Sequence, residues 1–149
     1  MKIALGSDHG GFHLKEAIKI YLEEEGIDYE DYGTDSTESV DYPLYGLRVA
    51  EAVAEKECDF GIICCGTGIG ISIAANKVPG IRCAVVSDVY SAQMSREHND
   101  ANILALGGRV IGPGLAVKIV ETWLATEFAG GRHQRRINGI CEIEKKYCK

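Results

Sequence analysis

The sequence predicts an α/β fold: a three-layer α/β/α sandwich with a five-stranded parallel sheet in the middle and helices on both faces. Short apolar runs bounded by glycine alternate along the chain with segments of helical period. Strands that alternate with helices form βαβ units, in which the strands run parallel and both faces of the sheet are covered. The last segment is a C-terminal helix, and no linker or repeat divides the chain. We therefore expect residues 1–149 to form a single domain.

Each element follows from a local pattern, taken in chain order. The apolar run Lys2–Gly6 predicts the first strand, and apolar spacing of i, i+3, i+4 predicts a following helix that ends at Gly26. Pro43 and Pro113 suit the first turn of a helix, where an N–H has no intrahelical acceptor. The predicted strands are Lys2–Gly6, Asp28–Tyr32, Phe60–Cys65, Arg82–Val86 and Ile103–Leu106. The predicted helices are Phe12–Glu25, Pro43–Lys56, Gly68–Lys77, Val89–Asn99, Pro113–Thr126 and Arg132–Lys145.

Composition and charge restrict the possible partners. The net charge is −6 and the basic residues are dispersed except in segment 132–136, which disfavours general binding to nucleic acid. The stretch 63–75 carries no charge, but it contains Gly, Thr and Ser and is too short to cross a membrane. The chain reaches Asp8 without an apolar signal segment, so we expect no export. The six cysteines are irregularly spaced without a C-x-x-C pair, which favours a reduced, cytoplasmic protein without a metal site.

Ligands bind to such sheets outside the carboxyl ends of the strands, so we expect the site in the loops 6–11, 65–70, 87–88 and 107–109. Segment Cys64–Gly70, with the sequence CCGTGIG, follows a predicted buried strand and opens a helix. Free N–H groups at a helix start bind anions and favour the thiolate form of a cysteine. Side chains alternate along a strand, so we predict Cys65 as the reactive thiol and Cys64 as a packing residue.

The spacing of this loop excludes several familiar motifs. It is not G-x-G-x-x-G, and no G-K-[ST] follows it, so dinucleotide and P-loop nucleotide sites are not expected. A cysteine phosphatase loop of the C-x5-R type would need arginine where Ile71 stands. One alternative stays open at this point: the glycines could serve only the close packing of strand and helix.

Two residues after the first strand are further candidates. Asp8 could accept a proton from a substrate hydroxyl, and His9 belongs to the residue type that titrates near neutrality. The alternative is a helix-capping Asp8 beside a surface His9. A metal pair of His9 with His13 is not expected, because His9 precedes the helix.

The C-terminal third of the chain supplies a third set of candidates. His98 lies near the C-terminus of the fourth predicted helix, where the helix dipole favours a cation, although a solvated helix end would show the same pattern. Arg132 and Arg136 are four residues apart and share one helix face, whereas Arg135 points elsewhere. Two guanidinium groups on one face can clamp a phosphate, and the alternative is an exposed basic face.

Several segments resemble the type B ribose-5-phosphate isomerases, which are grouped with the sugar-phosphate isomerases of galactose catabolism. The matching segments span nearly the whole chain in order: Gly6–Gly11, Asp41–Pro43, Cys65–Lys77, Ser95–Asp100 and Gly130–Arg136. The resemblance implies a Rossmann-like fold, an enzyme without metal or cofactor, and a homodimer whose active sites are each built from both subunits. It also implies the cysteine branch, because the other branch carries a glutamate base at the position of Ile69.

The resemblance further implies a role for each matched residue. Cys65 corresponds to the base that moves a proton between C1 and C2. Thr67, with the N–H groups of Gly66, Gly68 and Gly70, would hold the enediolate oxygens. His98 corresponds to the acid that opens the furanose ring, with a share for Asp8. The residues implied in phosphate binding are His9, Arg132 and Arg136. The full set implied in substrate binding is Asp8, His9, Tyr42, Gly66, Thr67, Gly68, Ile69, Gly70, Asn99, Arg109, Arg132 and Arg136.

We therefore expect a small-molecule sugar phosphate as substrate, with D-ribose 5-phosphate and D-ribulose 5-phosphate interconverted through a cis-enediol in the pentose phosphate pathway. The residues fit this chemistry, because aldose–ketose exchange needs a base, an oxyanion cradle, a ring-opening acid and a phosphate anchor. Two alternatives stay open. One is an isomerase of six-carbon sugar phosphates, such as allose 6-phosphate or galactose 6-phosphate. The other is a non-catalytic α/β domain that binds phosphate or nucleotide.

Overall fold

The computed structural model describes residues 1–148. Its strands are β1 Lys2–Ser7, β2 Asp28–Asp31, β3 Phe60–Cys65, β4 Cys83–Val85 and β5 Ile103–Gly107. Its helices are α1 Phe12–Glu24, α2 Tyr42–Ala54, α3 Ile69–Ala75, α4 Val89–Glu97, α5 Pro113–Ala125 and α6 Arg132–Tyr147. The strands form one parallel sheet in the order β2-β1-β3-β5-β4. Among the helices of residues 1–148, none is both long and apolar enough to span a membrane.

Helices α1, α4 and α5 cover one face of the sheet, and α2 and α3 cover the other. The direction of each connection explains this division of the helices. Helix α1 connects β1 to β2 and α4 connects β4 to β5, both towards the β2 edge of the sheet, whereas α2 connects β2 to β3 and α3 connects β3 to β4, both towards the β4 edge. Right-handed crossovers in opposite directions place their helices on opposite faces. The predicted three-layer sandwich with a C-terminal helix is confirmed.

The pleat of β3 divides the core into two apolar layers. Cys64 packs with Leu106 and Trp123 beneath α1, α4 and α5, whereas Cys65 packs with Ile71 beneath α2 and α3. The prediction that the two adjacent thiols face opposite layers is confirmed.

The largest difference from the predicted elements lies between α3 and β4, which are both shorter than expected. The side chain of Asn76 accepts the Cys83 N–H at 2.8 Å and donates to the Cys83 carbonyl at 3.0 Å, which ends α3 before residue 77. The N–H of Arg82 donates to the side chain of Asn102 at 2.8 Å, so the strand ladder begins one residue later. Side-chain hydrogen bonds that replace backbone ones are not visible in apolar periodicity.

Helix α6 lies largely apart from the two core layers. Two of its residues, His133 and Ile137, are buried. Ile140, Ile143 and Tyr147 stay exposed, at 46%, 63% and 72% of their surfaces. An amphipathic helix with an uncovered apolar face is typical of a surface that contacts another chain.

Candidate active site

Three loops meet at the C-terminal edge of the sheet, where β1, β3 and β5 lie side by side. The connections from β1 and β3 leave on opposite faces, and the crevice between them is the switch point at which such sheets bind ligands. The loops touch through their backbones. A side chain at Gly10 would begin 3.0 Å from the Gly66 nitrogen, and one at Gly108 would overlap the Gly10 carbonyl oxygen. Close packing therefore accounts for part of the glycine content.

Cys65 ends β3 at this crevice. Its Sγ accepts a hydrogen bond from the Gly68 N–H at 3.1 Å, and the residue is 4% exposed. Cys64 is fully buried in the other layer, where burial raises the pKa of its thiol. The two thiols therefore differ in chemistry: Cys64 is held neutral by its surroundings, whereas Cys65 has a donor for negative charge on sulfur.

The loop after Cys65 presents further donors. Within residues 1–148, the N–H groups of Gly66, Thr67 and Gly70 donate no hydrogen bond to the protein. Such free N–H groups at a crevice suit an oxygen anion. The expected cradle differs in one member, because the Gly68 N–H serves the sulfur in the free chain.

Tyr42, the first residue of α2, forms a wall beside this loop. A side chain at Gly70 would begin 2.6 Å from Cζ of the Tyr42 ring and 3.0 Å from its hydroxyl oxygen. The ring therefore lies against the loop, with 40% of the residue exposed. Ile69 contributes its backbone, since its N–H donates to Thr67 Oγ1 at 3.2 Å and its side chain is exposed.

Asp8 and His9 follow β1 at the same edge. Asp8 is 6% exposed, and its Oδ1 accepts the N–H groups of Gly10 and Gly11 at 2.9 and 3.1 Å. It therefore holds the loop rather than capping α1, whose N-cap is Gly11. His9 Nδ1 accepts the Val40 N–H at 3.2 Å, so a hydrogen on its neutral ring belongs on Nε2.

Arg109 reaches the same crevice from β5. Its N–H donates to the Gly66 carbonyl at 3.0 Å, and its Nη1 lies 3.3 Å from where a Gly66 side chain would begin.

The loop after β4 has a structural role. Asp88 caps α4 by accepting the Ser91 N–H at 2.7 Å, and this hydrogen bond lowers the pKa of its carboxyl group.

The structure places the other predicted residues at the opposite edge of the sheet. Helices α4 and α5 run back from the C-terminal edge, so His98 and Asn99 stand close to the start of β5, with Arg132 and Arg136 at the start of α6. Arg82, which directly precedes β4, donates to the Asn99 carbonyl at 3.1 Å. Strands of this length separate the two edges by roughly 15–20 Å. The predicted site residues therefore form two groups, here called half-sites, which one chain does not bring together.

Two residues without a predicted role organise this second half-site. Arg96 is 7% exposed, lies over the rings of Phe60 and Trp123, and donates to the Ala101 carbonyl at 2.6 Å. His133 is buried against the ring of His98. The spacing of buried His133 and Ile137 along α6 is the sequence signal that could have identified His133.

Comparisons with known proteins agree with this fold. The sequence model of the family described as Ribose/Galactose Isomerase matches residues 3–140. Ribose-5-phosphate isomerase B of Escherichia coli (strain K12) is 55% identical, with 97% of each chain covered. The structure of Clostridium thermocellum ribose-5-phosphate isomerase B is 64% identical and superposes with a TM-score of 0.98 over 99% of each chain. Ribose-5-phosphate isomerase B of Mycoplasma genitalium, solved with bound ribulose-5-phosphate, is 39% identical with a TM-score of 0.92 over 97% of each chain.

The family resemblance expected from the motifs is thereby confirmed, while the assignment to its cysteine branch stays a prediction. By sequence and by fold, the chain belongs to the ribose/galactose isomerase family.

Proposed function

We propose that this chain is a cofactor-free aldose–ketose isomerase that interconverts D-ribose 5-phosphate and D-ribulose 5-phosphate through a cis-enediol. The observation that carries the proposal is Cys65 Sγ at the switch point, 3.1 Å from the Gly68 N–H and next to a loop with free N–H donors. The names of the relatives from E. coli and C. thermocellum support the same activity.

Proton transfer begins at Cys65. Its thiolate removes the proton from C2 of the open-chain aldose, and the electron pair moves through C1 onto the carbonyl oxygen to give an enediolate. The free N–H groups of Gly66 and Gly70, with Thr67, stabilise the negative oxygen. The hydroxyl proton on O2 passes to the negative O1, and the Cys65 thiol returns its proton to C1 as the C2 carbonyl forms. These transfers give the ketose without a redox partner.

Ring opening precedes this step. The proposed acid is His98, which donates a proton to the furanose ring oxygen as the bond between that oxygen and C1 breaks. The Asp8 carboxylate accepts the proton of the C1 hydroxyl as the carbonyl forms. The phosphate lies against cationic or N–H-bearing groups that hold the sugar in register with Cys65. These groups are His9, Asn99, Arg109, Arg132 and Arg136.

We further infer that the chain is a homodimer in which each site combines the C-terminal edge of one subunit with the His98–Arg132 edge of the other. The roughly 15–20 Å between the two edges supports this arrangement, because no single chain can apply both half-sites to a five-carbon sugar. The exposed apolar residues of α6 and Leu44, Leu47 and Ile73 supply a surface suited to a second copy.

The test is conversion of ribose 5-phosphate to ribulose 5-phosphate by metal-free protein, with wild type, Cys65→Ala and Cys148→Ala compared. Cys148 is an exposed cysteine outside both half-sites and is the matched control. We expect Cys65→Ala to lower kcat by about 10²–10⁴-fold and Cys148→Ala to keep wild-type activity. Near-wild-type turnover by folded Cys65→Ala would remove Cys65 as the base.

Two further assays on the same protein distinguish the alternative functions. Higher kcat/KM for allose 6-phosphate or galactose 6-phosphate than for ribose 5-phosphate would indicate a six-carbon isomerase, since the difference is one of pocket length. Binding of sugar phosphates without deuterium exchange from solvent at C1 or C2 would indicate a non-catalytic domain.

We also infer that residues 1–149 act as one domain, because no linker divides the sequence. The resemblance of the motifs supports a role in the cytoplasm and in the pentose phosphate pathway.

A further inference from the structure

His98 and His133 form a stacked pair, with ring centroids 4.1 Å apart and ring planes inclined by 12°. The His98 side chain is 37% exposed, whereas His133, the second residue of α6, is 8% exposed. The N–H of Ala129 donates to the Glu97 carbonyl at 3.0 Å and joins the end of α4 to the start of α6. The buried His133 ring therefore packs against the more exposed His98 ring, and the backbone hydrogen bond holds together the two segments that carry them.

The charges around the two rings are unequal. Burial, followed by the charges of His98, Arg132 and Arg136, lowers the pKa of His133, while Glu97 acts weakly in the opposite direction. The Glu97 carboxylate lies 4.0 Å from His98 Nε2. Two imidazolium rings at stacking distance would repel one another, so the stack and the two arginines together disfavour the charged form of His133.

We propose that His133 is a positioning residue for His98: its buried ring, stacked on His98, fixes the plane of the His98 imidazole. The inference deepens the proposed function and rests on the role of His98 as the ring-opening acid. It adds a buried residue that acts through its neighbour and does not itself bind the sugar.

The kinetic test compares His133→Ala, His133→Phe and, as control, the exposed His13→Ala. Phenylalanine keeps a flat ring beneath His98, and alanine removes it. We expect His133→Ala to lower kcat for ribose 5-phosphate by about tenfold or more with KM nearly constant, and His133→Phe to recover most of that loss. Deuterium exchange into C1 of ribulose 5-phosphate in D2O needs Cys65 but no ring opening, and it should stay within about threefold of wild type. Equal losses of exchange and conversion in the folded alanine variant would overturn the proposal, as would full activity.

A second test needs no turnover and follows the imidazole signals by NMR titration in wild type and His98→Asn. Removal of His98 takes one repelling charge away from His133, so its titration midpoint should rise by about half a pH unit or more while that of His13 stays constant. An unchanged His133 midpoint would overturn the pairing. If wild-type protein converts no ribose 5-phosphate, the proposed function fails instead, and an active enzyme with an unchanged midpoint refutes the positioning role alone.

Discussion

Cys64 and Cys65 are neighbours in the chain, yet they lie in different apolar layers because side chains alternate along β3. One thiol is surrounded by core atoms, and the other receives the N–H of Gly68. That donor is available because Gly68 has a φ of +80°, which turns the chain sharply after the strand. The chemistry proposed for Cys65 therefore depends on the backbone conformation of Gly68.

At the residue scale, we predict that Gly68→Ala lowers both stability and activity, whereas Gly26→Ala lowers stability alone. Both glycines have positive φ, at +80° and +67°, so alanine costs about 1–2 kcal/mol at either position. A side chain at Gly68 would also begin 2.9 Å from the Leu106 carbonyl carbon, whereas one at Gly26 meets no atom within 4 Å. Urea unfolding and kcat measure the two effects. Unchanged kcat in folded Gly68→Ala would contradict the role of this turn.

At the scale of elements, Lys15 joins α1 to the end of β2. Its side chain is 1% exposed, and Nζ lies 2.7 Å from Asp31 Oδ1 and also donates to the Thr34 carbonyl. Lys19, one turn further along α1, binds the same carboxylate at 3.0 Å but is 23% exposed. A buried ammonium with two acceptors holds the loop after β2 in place, and that loop continues to Val40, the partner of His9.

We predict unequal costs for the two lysines. Lys15→Ala should lower the free energy of unfolding by about 3–5 kcal/mol. It removes the buried ammonium partner of Asp31, which keeps only the more exposed Lys19 and the Gly33 N–H, and it removes the side-chain donor to the Thr34 carbonyl. Lys19→Ala should cost about 0–1 kcal/mol, since its ion pair is partly exposed to water. Denaturant unfolding of the two variants under identical conditions measures the difference. Equal costs would show that burial does not govern this pair.

The same network predicts a dependence on pH. Burial alone would raise the pKa of Asp31, but hydrogen bonds from Lys15, Gly33 and Lys19 outweigh it and lower the pKa below the usual 3.8. A carboxyl group whose pKa is lowered on folding contributes its full stabilisation above its unfolded-state pKa. That contribution is lost progressively as the pH falls through the lower, folded-state pKa. The stability advantage of wild type over Asp31→Asn should therefore shrink between about pH 5 and about pH 2. An advantage that stays constant over this range would contradict the assignment.

At the scale of the whole molecule, chain direction decides which residues can meet. Every helix of the sandwich returns from the C-terminal edge to the N-terminal edge, so residues that end helices stand far from residues that end strands. Cys65 ends a strand and Asp8 directly follows one, whereas His98 directly follows a helix. The proposed chemistry needs both groups, and the uncovered apolar face of α6 offers the contact by which a second copy could bring them together.

Mixed dimers test this arrangement. Random assortment of Cys65→Ala with His98→Asn subunits gives half heterodimers, each with one intact site if the sites are shared, and so about one quarter of wild-type activity. Both parent variants should be nearly inactive alone. If each site lies within one chain, verified heterodimers would regain nothing above the parents. Size measurements on each preparation show that the dimers have formed.

The sequence by itself determined the order and type of the elements, the opposite faces of Cys64 and Cys65, and the gathering of the post-strand loops at one edge. These features depend on local periodicity, which is a property of neighbouring residues and is independent of distant contacts. The tertiary structure alone decided three others. It set the strand order, assigned the Gly68 N–H to sulfur, and stacked His98 on His133. Each of these depends on contacts between segments remote in sequence or on a turn whose geometry no periodicity encodes, and those are settled only when the layers pack.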